Sequence, residues 1–224
     1  YAAWESQRIN LSLLFLTLAI LSFVLWKVDN IVKRDIVWKS FRYLFLIWVL
    51  IWLGFYAGGQ ITIISLLTWL TAPYHKTSWD VLLSDPLLVS LMLFVIVSFV
   101  LWGRGIFCGW LCPFGALQEL LAKIAKFMRV KQIQISYRAH QVLWPIKYFL
   151  LFGLIGIAFY STSSLNYATE IEPFKTAISM KFNREWYFVA YAIVLLFIGL
   201  FIERFFCRFL CPLGAIMAIG GKLR

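Results

Sequence analysis

The sequence predicts an all-α integral membrane protein, and three observations predict it. Of the 224 residues, 62% are hydrophobic and the mean hydropathy is +0.85, against ~45–50% apolar residues in a typical soluble domain. The apolar residues gather in long runs without the two-residue alternation of a transmembrane barrel. Most of the eleven Trp, among them Trp26, Trp102, Trp110 and Trp186, stand near the ends of these runs, where interfacial aromatic belts form. A soluble chain of this size could not bury so much apolar surface and would expose aggregating patches. In lipid, backbone polar groups must be paired within their own segment, and helices achieve that.

A span needs ~20 mostly apolar residues. Five segments qualify: 10–26 (NLSLLFLTLAILSFVLW), 43–59 (YLFLIWVLIWLGFYAGG), 86–103 (PLLVSLMLFVIVSFVLWG), 141–160 (QVLWPIKYFLLFGLIGIAFY) and 186–202 (WYFVAYAIVLLFIGLFI). The segment 61–73 (ITIISLLTWLTAP) is apolar but too short to span easily, and it follows Gly58-Gly59. It reads as a half-helix. Residues 114–130 (FGALQELLAKIAKFMRV) carry Leu117, Leu120, Leu121, Ile124 and Phe127 at helical spacing, with Lys123, Lys126 and Arg129 near the end. That pattern predicts an amphipathic helix at the inner interface. The polar stretch 161–185 is an outer loop that either docks a partner or simply connects two spans. The whole chain reads as one transmembrane domain. It starts at Tyr1 and ends in GGKLR, which reads as a piece of a longer protein.

The net charge of +11 would suggest nucleic acid in a soluble protein. In a membrane protein, Lys and Arg concentrate in cytoplasmic loops, and no basic stretch here is interleaved with aromatics on a soluble domain. Nucleic acid is therefore not an expected partner; the lipid bilayer is. Sixteen of the 21 Lys and Arg fall on one side of the five spans, from Lys27 to Arg42, from Arg104 to Lys147, and from Arg204 to Arg224. That side should be cytoplasmic, with the N-terminus out and the C-terminus in. Acids such as Asp80, Glu170 and Glu172 then face outward. The expected location is a bacterial inner membrane.

All four cysteines lie in two copies of one C-x-x-x-C-P motif, RGIFCGWLCPFGAL and ERFFCRFLCPLGAI, each just past a span. Aligned at the first cysteine, seven of seventeen positions match: Phe107, Cys108, Leu111, Cys112, Pro113, Gly115 and Ala116 pair with Phe206, Cys207, Leu210, Cys211, Pro212, Gly214 and Ala215. The copies therefore read as an internal repeat. Cysteines four apart share a helix face, so their sulfurs can converge. Pro113 and Pro212 suit the first position of a following helix, and the N–H groups of Gly115 and Ala116 would then point at the sulfurs and tune them. Two copies face to face supply four thiolates, the usual ligand set of [2Fe–2S] and [4Fe–4S] clusters. Other readings remain open: a structural Cys₄ zinc, redox dithiols or a copper–thiolate site, and plain buried cysteines.

Arg104 and Arg204 precede the two motifs. They read first as positive-inside anchors and second as cations offsetting thiolate charge. Glu203 is expected to pair with Arg204, Arg208 or Arg104. His75 and His140 read as interfacial polar residues rather than ligands.

GRGIFCGWLCPFGALQEL, residues 103–120, with FCRFLCPLGAI, residues 206–216, resembles the NosR/NapH family of polytopic membrane electron-transfer proteins, on the side of the NosR transmembrane core. The resemblance implies electron transfer through the Cys108, Cys112, Cys207 and Cys211 centre at the cytoplasmic face. The donor would be quinol or a cytoplasmic protein. The recipient would be a periplasmic flavin and then a reductase such as nitrous oxide reductase. It also implies flanking regions that these 224 residues lack: a periplasmic FMN domain and a ferredoxin-like region with two [4Fe–4S] clusters. The rival functions are a dithiol or copper-handling protein that matures a periplasmic enzyme, and a zinc-stapled membrane anchor.

Overall fold

The computed structural model describes residues 7–28, 32–59, 61–75, 85–102, 105–160 and 172–221. Every regular element among them is helical. Helix α1 (Arg8–Trp26) buries Leu14, Thr17, Leu18, Leu21 and Val24 along one stripe. Its other face leaves Phe15, Leu16 and Phe23 more than half exposed. An apolar exterior of this kind is stable against lipid and not against water.

Helix α2 (Asp35–Trp48) continues without a break as a π-helix over Val49–Tyr56. The span therefore starts eight residues earlier than the hydropathy run and stops short of Gly59. π-Turns are rare and often mark functional sites, and this one faces the first cysteine motif. Helix α3 (Ile63–His75) is the expected half-helix, shifted two residues along. Helix α4 (Pro86–Trp102) leads to a π-turn, Phe107–Leu111, and then to α5 (Pro113–Phe127). Next come α6 (Tyr137–Leu143), capped by Ser136, and α7 (Ile146–Tyr160), separated at Trp144-Pro145 because proline cannot donate to the preceding turn. A short π-turn at Lys175–Ser179 precedes α8 (Trp186–Phe201), α9 (Phe205–Phe209) and α10 (Pro212–Gly220).

Among the described residues, three helical stretches are long and apolar enough to cross a membrane: Arg8–Trp26, Asp35–Tyr56 and Tyr137–Tyr160. The other two expected spans are apolar helices of 17 and 16 residues, α4 and α8.

The expected amphipathic segment forms helix α5, and the face it buries most deeply is small and polar, with Leu117 and Leu120 partly buried beside it. It packs between α2, its π-helical continuation and α8, and it buries Ala116, Gln118, Glu119, Ala122 and Ala125. Ile124 and Phe127, from the stripe, are 53% and 90% exposed. Small residues allow close helix approach, which the leucine stripe would prevent. The segment after α7 departs from the expected outer loop. Residues 161–171 lie outside the described residues, but Glu172, Thr176, Ala177 and Ile178 are buried rather than looped outward. A Cβ on Gly54 of the π-helix would stand 3.0 Å from Pro113 Cβ and 3.3 Å from Ile178 Cγ2. Glycine is what lets the three segments meet there.

Candidate metal centre

Both cysteine motifs fold the same way locally. The first cysteine sits in a short helical turn. The second ends that turn through an i to i−5 bond, Cys112 N–H to the Phe107 carbonyl at 2.8 Å and Cys211 N–H to the Phe206 carbonyl at 2.9 Å. Each second cysteine then leaves the helix for an extended conformation, with φ −75°, ψ 112° at Cys112 and φ −71°, ψ 114° at Cys211. Pro113 and Pro212 open the following helices, as N1 prolines do. No single helix carries Cys i and i+4. The second cysteine of each pair is the N-cap of the next helix.

The tuning donors come from that cap. Gly214 N–H donates to Cys211 Sγ at 3.4 Å, and Gly115 and Phe114 N–H groups donate to Cys112. Ala116, expected to share this role, instead closes the first helical turn on the Cys112 carbonyl at 2.9 Å. Gly115 and Gly214 are needed for a second reason. A Cβ there would stand 3.1 and 3.2 Å from the carbonyl oxygens of Cys108 and Cys207.

The two motifs stand in one electrostatic neighbourhood. Burial pushes the Cys108 thiol up to about 12, the nearby Cys112 adds to it, and Arg204 and Lys147 pull the other way. Cys112 is raised by burial against the Gly115 and Phe114 donors. Cys207 and Cys211 are raised well above the usual thiol range, by burial first and then by cysteines that include Cys108 of the other copy. Each shift favours the neutral thiol, and a bound metal cation would favour the thiolate. Among the described residues, no three Cys, His, Asp or Glu side chains gather closely enough to share one ion.

Arg204 links the motifs. Its guanidinium donates to the carbonyls of Cys108 and Gly109 at 3.3 and 3.4 Å and to Glu119 Oε2. Glu119 also takes a fork from Arg42, at 2.9 and 3.2 Å, and Arg42 lies 5.3 Å over the Trp110 ring. Burial alone would raise the Glu119 carboxyl. The Arg42 hydrogen bond and the Arg204 and Arg42 charges outweigh it, and the net direction is down. Arg204 is thus more than an interfacial anchor. Its backbone is left-handed (φ 54°) at the position where the first copy has Gly105 (φ 110°). Glu203 pairs with Lys126 at 2.7 Å, not with the arginines expected. Arg104 lies outside the described residues, as does the side chain of His75. The His140 ring packs edge-on against Phe209, centroids 5.6 Å apart.

Sequence reading missed three residues. Gln118 is fully buried, and the Cys207 thiol donates to its Oε1 at 3.4 Å. Glu119 holds Arg42 and Arg204. Lys147 is 7% exposed and close enough to Cys108 to affect its charge. The signal for the first two was a Gln-Glu pair one turn into the proline helix, in the copy whose partner has Met217 and Ala218 there.

The donor set fits an iron–sulfur group: four thiols from two matched turns, backbone N–H groups at two sulfurs, and cationic side chains beside them. A 4Fe-4S binding domain matches residues 84–132 and 185–224, the two stretches that hold the motifs. The regulatory protein NosR of Pseudomonas aeruginosa is 44% identical over 221 residues, covering 99% of this chain and 31% of that protein. NosR of Stutzerimonas stutzeri is 41% identical, covering 99% and 30%. Protein NirI of Paracoccus denitrificans is 40% identical, covering 99% and 32%. The chain thus spans about a third of the length of the curated relatives it matches. No solved structure matches it.

Proposed function

We propose that the chain is the membrane-embedded electron-transfer segment of a protein like NosR and NirI, to which it is homologous over 99% of its own length. Cys108, Cys112, Cys207 and Cys211 together hold one iron–sulfur cluster. When bound, that group takes up and gives off single electrons. The observation that carries the reading is the pair of matched C-x-x-x-C-P turns joined through Arg204.

The chain's own groups prepare the site. Arg204 and Lys147 offset thiolate charge, and Gly115, Phe114 and Gly214 supply N–H donors. Five spans carry the site, N-terminus out and C-terminus in, across a bacterial inner membrane, and the two motifs are copies of one unit. Both motifs sit at the cytoplasmic face. The direction proposed is outward, from quinol or a cytoplasmic donor to a periplasmic flavin domain and then a reductase of denitrification such as nitrous oxide reductase. FMN and further clusters belong to regions of the full protein outside these residues.

The test is single Cys→Ser substitution at each of the four positions in the full-length protein, read by EPR and by iron and sulfide analysis. Each variant should lose the same signal. Signals unchanged in all four would overturn the reading. Zinc without iron would favour a structural anchor, and reductant-sensitive alkylation without iron a dithiol protein.

A further inference from the structure

Gln118 is buried to 0% exposure on α5. Its two amide atoms are in different situations. Oε1 accepts from the Cys207 thiol at 3.4 Å. Nε2 is buried and has no hydrogen-bond partner, and it faces Gly199 of α8, where a Cβ would stand 3.6 Å away. A buried amide N–H without an acceptor costs ~1–3 kcal/mol, so a protein seldom keeps one unless something else satisfies it.

The orientation suits a thiol and not a thiolate. A protonated Cys207 has a hydrogen to give to Oε1. Once the sulfur binds metal it has none, and a carbonyl oxygen facing an anionic sulfur is repelled. The oxygen and nitrogen of a carboxamide have nearly the same shape. Turning the amide over costs no packing and breaks no bond that Nε2 makes. It would bring N–H to the sulfur and Oε1 to the Gly199 Cα–H, a weak but favourable contact.

Resting on the iron–sulfur reading above, we propose that Gln118, with its amide turned over, donates a hydrogen bond to the Cys207 sulfur of the loaded centre and thereby sets its reduction potential. Gln118 is a positioning and tuning residue here, not a ligand. The repeat partner of Gln118 is Met217, which has no N–H to offer. The tuning is therefore one-sided, delivered by the first proline helix to the second motif. Hydrogen bonds to cluster sulfurs are among the determinants of potential. A donor draws charge from the sulfur and favours the reduced state.

The experiment is an EPR-monitored redox titration of the full-length protein, following the signal that Cys207→Ser abolishes. Gln118→Met keeps the length and removes the donor. It should load iron and sulfide as the wild type does, with the midpoint potential displaced to more negative values. Pulsed EPR of the wild-type protein carrying 15N in its glutamine side-chain amides should show a nitrogen coupling to the same signal, since the donor would stand beside a sulfur of the centre. A loaded Gln118→Met protein with an unchanged potential overturns this proposal alone. If Gln118→Met carries no iron, the wild-type coupling decides, and its absence overturns the proposal. Signals that survive all four cysteine substitutions overturn the iron–sulfur reading and this proposal with it.

Discussion

Glu119 ties two arginines together beside the cysteine site. It is 8% exposed and holds Arg42 of α2 and Arg204 of the second motif together. Removing one partner of a buried ion pair strands the others and costs ~3–5 kcal/mol. Glu119→Gln should lower the melting temperature in detergent and reduce iron loading. The pH dependence follows from the direction of the carboxyl shift. The folded value lies below the ordinary 4.5, so the network stabilises the protein above pH 4.5 and is lost as pH falls through the folded value. Acid melting curves should therefore be steeper in the wild type than in Glu119→Gln, and parallel curves would show that the network contributes nothing. The cysteines were legible in the sequence because they are few, paired and followed by proline. Gln118 and Glu119 were not, because a polar pair in an amphipathic segment looks like a solvated face until the helix is seen packed on that face.

At the scale of elements, the hydropathy runs placed helices where α1, α4, α7 and α8 occur, because long Leu, Phe and Val runs leave no other stable structure in lipid. They did not reveal the π-helix of Val49–Tyr56, since a shift from i−4 to i−5 bonding changes no composition. Nor did they reveal that residues 172–179 tuck inward, since their polarity matched an ordinary loop. Glu172 shows what that fold requires. It is 3% exposed and accepts the Ile63 N–H at the start of α3 at 3.3 Å. Burial raises its carboxyl to about 8 against that one hydrogen bond. For an acid raised above its ordinary 4.5, the stabilising contribution is complete below pH 4.5 and disappears as pH rises through about 8. The melting temperature should thus decline between pH 5 and pH 8.5, and Glu172→Gln should flatten that decline. An equally steep decline in the variant would mean that another group is responsible.

For the whole molecule, the strongest remaining expectation is its orientation. The charge asymmetry of the sequence acquires a structural counterpart in the contacts. Lys126 reaches Glu203, and Arg42, Glu119 and Arg204 form one network, so the start of α2, the end of α5 and the end of α8 lie at one end of the bundle. Lys123, Arg129 and Lys131 stand exposed in the same region. On the orientation proposed above, the exposed cations gathered at this end would hold it in the cytoplasm during insertion, whereas the exposed apolar faces of the spans have no preference of side. An epitope inserted within residues 131–136 of the full-length protein should be protected from protease in intact cells and cut after the inner membrane is opened. The same epitope within residues 161–171 should be cut in cells whose outer membrane alone has been permeabilised. The reverse pattern would put both cysteine motifs on the periplasmic side and would require the electron route proposed here to be reversed. Replacing Lys123, Arg129 and Lys131 together by Gln should weaken the preference and yield a mixed population, because these three side chains supply charge at that end without belonging to the cysteine site.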